Sequence, residues 1–203
     1  MATIQTKRRL RELIGLPNDK VRLKIHRQLN TTACDFIARS PMLFLATCDT
    51  DGLPQVSPKG DTPGFVHVED NQHLIIPERK GNKLAFSLEN ILTNPRVGLI
   101  FLAPGTCETL RIEGHVQLDD DPQLCEKLTA RGSPALLVMR VEIEAVYFHC
   151  AKAFIRAELW KPETWQEVFN ISFGAEIAQH GGLAPENIGE FDAAVQSRYK
   201  TEL

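Results

Sequence analysis

The sequence predicts a mainly β protein with flanking helices, of the α+β class: about six or seven antiparallel strands closed into a barrel, with helices at both ends and one inserted. Three observations carry this. The middle of the chain holds apolar or alternating runs separated by short Asp, Gly and Asn turns. A single amphipathic helix interrupts those runs. Strands and helices do not alternate, which argues against a doubly wound parallel sheet.

In chain order, Leu10, Leu13 and Ile14 share one helical face, and Gly15–Leu16–Pro17 stops that helix. Asn18 caps a second helix with Val21, Ile25 and Leu29 inside. Thr31 or Thr32 caps a third, which carries Ala33, Phe36 and Ile37 and ends before Pro41. Residues 42–48 are a strand, Asp49–Thr50–Asp51–Gly52 a turn, and residues 54–60 a returning strand whose prolines suit an edge or bulge. Residues 65–68 and 73–76 form a second hairpin. Leu84, Leu88, Ile91 and Leu92 mark the inner face of the inserted helix, which Asn94–Pro95 ends.

Residues 97–102 follow as a buried strand, and residues 108–118 alternate polar with apolar, as a half-buried antiparallel strand does. Asp119–Asp120–Asp121–Pro122 opens a short helix, because acids suit the positive end of the helix dipole. Residues 136–149 are a long strand. From Trp160 the pattern is helical again, with Pro185 at a first turn and Ile188, Phe191, Val195 and Tyr199 at helical spacing. Gly181–Gly182 is the best hinge, but no linker divides the chain and no segment repeats.

Composition narrows the function. The chain has 203 residues, enough to bury a core without disulfides or metal. Its formal charge of −3 gives no support to a polyanionic partner such as nucleic acid. No apolar run approaches the ~20 residues needed to cross a bilayer. The basic N-terminus has no apolar stretch behind it, so a signal peptide is not expected. The five cysteines are odd in number and widely spaced, without a CxxC pair; reduced thiols in a cytoplasmic protein are the simplest expectation. Nucleotide-binding glycine motifs, GxSxG and HExxH are all missing, and no two histidines have metal-ligand spacing, so no metal is expected.

What remains is a polar cluster at strand ends. Ser57–Pro58–Lys59–Gly60–Asp61 closes one strand, and Pro77–Glu78–Arg79–Lys80–Gly81–Asn82–Lys83 joins another to the inserted helix. Amide N–H groups at a helix N-terminus, with Arg79, Lys80 and Lys83 beside them, suit a phosphate. The same charges also fit a solvated loop. Cations oppose the dipole at that helix end, which favours an anion between them. Lys152, Arg156 and Trp160 recur every fourth residue and align on either a helix or a strand, as a ring-binding face or an exposed one. Arg111 is a lone cation on the alternating strand.

Five segments, in order and spacing, resemble the pyridoxamine 5′-phosphate oxidase-like flavoproteins, a split-barrel FMN-binding superfamily. They are Leu45–Ala46–Thr47 with Asp51–Gly52, Val56–Ser57–Pro58–Lys59–Gly60, residues 74–83, Asn94–Pro95–Arg96–Val97–Gly98–Leu99, and Thr109–Leu110–Arg111–Ile112–Glu113–Gly114. The resemblance covers about residues 41–165, and the segment from His149 to Trp160 resembles that of an uncharacterised subgroup. It implies a split β-barrel over 41–165, with helical extensions over 1–40 and 166–203 in one compact domain. It implies FMN, with its phosphate on Arg79, Asn82 and Lys83 and Lys59 reaching in from the neighbouring strand. Ser57, Pro58 and Pro77 would line the isoalloxazine edge. It also implies a homodimer with each flavin at the interface, so that Arg111, Lys152, Arg156 and Trp160 reach the flavin, some from the partner.

Pyridoxamine phosphate oxidases carry Ser-Arg-Lys at the phosphate turn, where this chain has Gly81–Asn82–Lys83. Pyridoxamine phosphate is therefore not the expected substrate, and no residue stands out as an acid or base. The expectation is an FMN oxidoreductase that transfers hydride at flavin N5, with Lys59 stabilising negative charge on the reduced ring. Two alternatives keep the fold: a deazaflavin-dependent reductase, and a non-catalytic module binding flavin or haem.

Overall fold

The computed structural model describes residues 3–202. Its centre is one seven-stranded sheet. The strands are β1 (Met42–Cys48), β2 (Pro54–Gly60), β3 (His67–Val68), β4 (His73–Glu78), β5 (Arg96–Leu102), β6 (Thr109–Asp119) and β7 (Leu137–His149). Their order is β2-β1-β5-β6-β7-β4-β3, and every neighbouring pair is antiparallel. Gly52, at φ 87°, makes the turn from β1 into β2.

The sheet does not close on itself, which corrects the closed barrel and agrees with the split one. Its edges are β2 and β3, and among the described residues no backbone ladder joins them. The chemistry of both edges explains this. Pro54 and Pro58 leave β2 without two of its amide donors, and β3 is only two residues long.

One core fills the curve of the sheet. Alternate residues point into it: Leu43 and Leu45 from β1, Val97, Leu99 and Phe101 from β5, Leu110 and Ile112 from β6, and Met139 and Val141 from β7. Helix α3 (Thr31–Arg39) adds Ala33, Phe36 and Ile37, and Phe36 meets Phe148 edge-to-face with ring centroids 5.4 Å apart. The β6–β7 ladder shifts register between Glu113 and Gly114. A Cβ at Gly114 would sit 2.1 Å from the carbonyl oxygen of Glu142, so only glycine fits this close approach.

Several helices differ from the sequence expectation. Helix α1 (Lys7–Ile14) ends at Gly15 as read, but α2 (Asp19–Arg22) is one turn long, and Ile25 and Leu29 lie beyond it. There His26 pairs with Val146 in an isolated bridge, so the segment is extended where a helix was expected. Asn30, not Thr31 or Thr32, caps α3; its Oδ1 accepts the Ala33 N–H at 2.9 Å. Helix α4 (Phe86–Thr93) starts two residues after Leu84 and buries Ser87 and Ile91, while Leu92 is exposed. Helix α5 (Pro122–Lys127) is capped by Asp121 and α6 (Lys152–Arg156) is a single turn. The C-terminal pattern resolves into α7 (Phe173–Gln179) and α8 (Ile188–Thr201), packed on each other where Gly174 lies against the backbone of Ile188.

Candidate functional site

The open edge of the sheet carries the site. Ser57, Lys59 and Asp61 are alternate residues, so they share one side of the strand and its continuation. All three reach across the split to the segment that runs from β4 into α4. Ser57 Oγ lies 2.5 Å from Ser87 Oγ. Lys59 Nζ donates to Glu78 Oε2 at 2.5 Å. Arg79 Nε donates to Asp61 Oδ2 at 2.9 Å. Side-chain polar links thus do at this edge what backbone hydrogen bonds do elsewhere in the sheet.

Beside these links lies a cavity of about 810 Å³. That is within the usual 300–1,000 Å³ of small-molecule sites. Seven of the eleven expected site residues line it: Ser57, Pro58, Lys59, Pro77, Arg79, Asn82 and Lys83. Exposed apolar side chains, Val56, Leu84, Phe86 and Leu136, also line it.

One end of the cavity gathers Arg79, Lys83 and the start of α4. Arg79 spends its Nε on Asp61, whose side chain is only 6% exposed. Arg79 Nη1 is buried and has no hydrogen-bond partner. Nη1 is thus closed to the cavity as well, and Arg79 meets the cavity through the part of its side chain that stays exposed. The N-terminus of α4 lies on the same wall. Its N-cap is Ala85, which has no side chain able to cap, and the N–H groups of Phe86 and Ser87 find no acceptor among the described residues. Lys83 and Ala85 both adopt left-handed backbone, at φ 64° and 53°. Each conformation costs on the order of 1 kcal/mol for a residue with a Cβ, and such outliers gather at ligand sites. Asn82 Oδ1 accepts the Leu84 N–H at 3.1 Å and so braces the turn.

Lys59 is not a free cation. It is largely buried and paired with Glu78. Glu78, Asp61 and Ser87 had no role assigned from the sequence. The first two stand within the polar runs that pointed to the site, while Ser87 carries no signal of its own, because its burial depends on α4 starting at Phe86.

Four expected residues lie elsewhere in the chain. Arg111, on β6, stacks over the ring of Tyr147 at 5.6 Å from its centroid, and Lys24 approaches the same ring at 5.8 Å. Lys152 and Arg156 are exposed on α6, which stops before Trp160, so the three do not form one helix face. Trp160 donates its Nε1–H to the carbonyl of Thr106 at 2.9 Å and packs against Phe154. None of the four lines the cavity.

Among the described residues, one group of metal-ligating types comes together, Glu69, Asp70 and His73. Its members are already engaged. Asp70 Oδ1 accepts the Gln72 and His73 N–H groups, and these bonds, with the His73 ring, lower the Asp70 pKa. Glu69 pairs with Arg140. No described helix is long and apolar enough to cross a membrane.

The family model for pyridoxamine 5′-phosphate oxidase matches residues 29–150. No curated protein matches the sequence. Among solved structures, a HupZ variant from Group A Streptococcus superposes with a TM-score of 0.50 at 18% identity, covering 59% of this chain and 98% of that one. A putative pyridoxamine 5′-phosphate oxidase from Lactobacillus delbrueckii gives 0.47 at 26% identity, covering 60% and 95%. An FMN-binding protein from Syntrophomonas wolfei gives 0.44 at 10% identity, covering 57% and 81%.

Proposed function

The chain belongs to the pyridoxamine 5′-phosphate oxidase family, and from that premise we propose that it binds FMN in the cavity between β2 and the β4–α4 turn and acts as an oxidoreductase. The observation that carries this reading is the meeting of two cations, Arg79 and Lys83, with an uncapped helix N-terminus on one wall. Both ask for the same thing, a small multivalent anion, and a flavin phosphate is one.

Bound FMN would supply hydride chemistry at its N5. The chain's residues divide the remaining work. Arg79, Lys83 and the first-turn amides of α4 hold the phosphate. Ser57, Pro58 and Pro77 face the ring edge, where the Ser57–Ser87 hydroxyl pair offers both a donor and an acceptor. Lys59 supplies positive charge, moderated by Glu78, for a ring that gains negative charge on reduction. In this reading the active form is a cytoplasmic homodimer. The partner brings its Lys152, Arg156 and Trp160 region to the flavin, which accounts for their position outside the cavity here. Pyridoxamine phosphate is not the expected substrate, because Gly81–Asn82–Lys83 departs from the family's Ser-Arg-Lys run and the family's C-terminal substrate-binding pattern is not evident.

Mass spectrometry of the small molecule released when the purified protein is denatured tests the reading. FMN is the expected species. A deazaflavin or a haem in its place would assign the cavity to another cofactor, and a colourless protein that ignores added FMN would remove the reading altogether.

A further inference from the structure

Asp61 has the geometry of a residue that acts through another. Its carboxylate is 6% exposed, yet it touches the cavity only by way of Arg79. A guanidinium carries five N–H donors in a rigid planar fork. Fixing Nε on Asp61 therefore fixes the direction of the whole group. Along with the Nε bond at 2.9 Å, Nη1 is left buried and without a partner. If the ion pair served only to close the split between β2 and β4, a two-pronged grip on the carboxylate would be the better bond. The single-pronged bond instead leaves donor capacity unspent on an arginine that is partly exposed and lines the same cavity as the start of α4.

We propose that Asp61 is a positioning residue for the phosphate end of the cavity: it holds Arg79 by Nε so that the exposed part of the guanidinium side chain stays turned to the ligand's phosphate. This rests on the reading that the cavity binds FMN. It adds that selectivity for the phosphorylated flavin over the same ring system without phosphate depends on a carboxylate that never touches the ligand. Removing it lets the long arginine side chain spread over its rotamers, and the phosphate loses an aligned partner while the ring loses nothing. An outer-shell carboxylate of this kind typically tunes affinity by about tenfold or more.

The test compares FMN with riboflavin, which lacks only the phosphate, by fluorescence titration of the full chain stripped of bound flavin. Wild type should prefer FMN. Asp61→Asn should lose about tenfold in FMN affinity and leave riboflavin affinity within about twofold. Combining it with Arg79→Lys should add nothing to the FMN loss of Arg79→Lys alone, because both act on one contact. If Asp61→Asn does not fold, Asp61→Glu keeps the charge, displaces the carboxylate by one methylene, and should show the same selective loss. Equal losses for both ligands would make Asp61 merely structural and overturn the inference, as would unchanged FMN affinity; either leaves the flavin reading standing. A wild-type chain that binds neither ligand overturns both.

Discussion

Lys59 Nζ meets Glu78 Oε2 at 2.5 Å across the open edge of the sheet, with both side chains about five-sixths buried (15% and 16% exposed). A pair this sheltered lies between two regimes. Exposed pairs are worth about 0–1 kcal/mol, whereas breaking a buried pair costs about 3–5. Lys59→Met or Glu78→Leu alone should therefore destabilise the fold by about 1–3 kcal/mol in urea. The apolar double variant, Lys59→Met with Glu78→Leu, should cost less than the sum of the singles, because neither leaves an orphaned charge. Additive losses would show that the pair is not coupled.

Lys83 separates charge from backbone strain. Lys83→Ala removes a charge-assisted contact and should weaken FMN binding by about 1.5–3 kcal/mol. Lys83→Gly should weaken binding as much, yet give a fold about 0.5–1 kcal/mol more stable than Lys83→Ala, since glycine accepts φ 64° without strain. Thermal melts of the two flavin-free variants, beside their FMN titrations, check both halves. Equal stability would mean that the backbone there relaxes.

Gly114→Ala should destabilise the protein by about 2–3 kcal/mol, measured by denaturant unfolding. The added methyl carbon would lie 2.1 Å from the Glu142 carbonyl oxygen in the middle of the longest strand pair. A mild effect would show that the β6–β7 ladder gives way there.

The C-terminal helices should loosen in acid. Asp192 accepts the Ser172 hydroxyl and the Gly174 N–H at 2.8 Å, and these bonds hold its carboxyl below the usual aspartate value of 3.8. A depressed acid stabilises the fold above its unfolded value and loses that contribution as the pH falls through its folded value. Protection of the α7 and α8 amides from hydrogen exchange, relative to their intrinsic rates, should therefore fall below pH 3.8, and Asp192→Asn should flatten that dependence. An unchanged profile in the variant would place the acid sensitivity elsewhere.

The sheet was largely legible because its turns carry chemistry. Asp49 to Gly52 and Asp49's neighbours announce a reversal, and the alternation in β6 fixes which face is inside. The site was legible as two polar runs, and the structure brings those runs to one cavity. Its internal pairing was not. That Asp61 holds Arg79 and Glu78 holds Lys59 follows from how β2 faces β4 across a gap with no hydrogen-bond register, and sequence spacing carries nothing about that distance. Helix starts misled for a local reason. Leu84 has the right spacing for α4, but left-handed backbone at Lys83 and Ala85 delays the helix to Phe86 and turns Leu92 outward. The region from Lys152 to Trp160 was ambiguous because four-residue spacing aligns residues on either element. The fold breaks it after one turn at Arg156.

The phosphate of FMN is expected between the Arg79 guanidinium and the first turn of α4. A crystal structure of the protein with FMN measures this directly. Phosphate density within hydrogen-bond distance of the Arg79 guanidinium and of the Phe86 and Ser87 amides is the predicted result. Phosphate bound anywhere else, away from both, would contradict it.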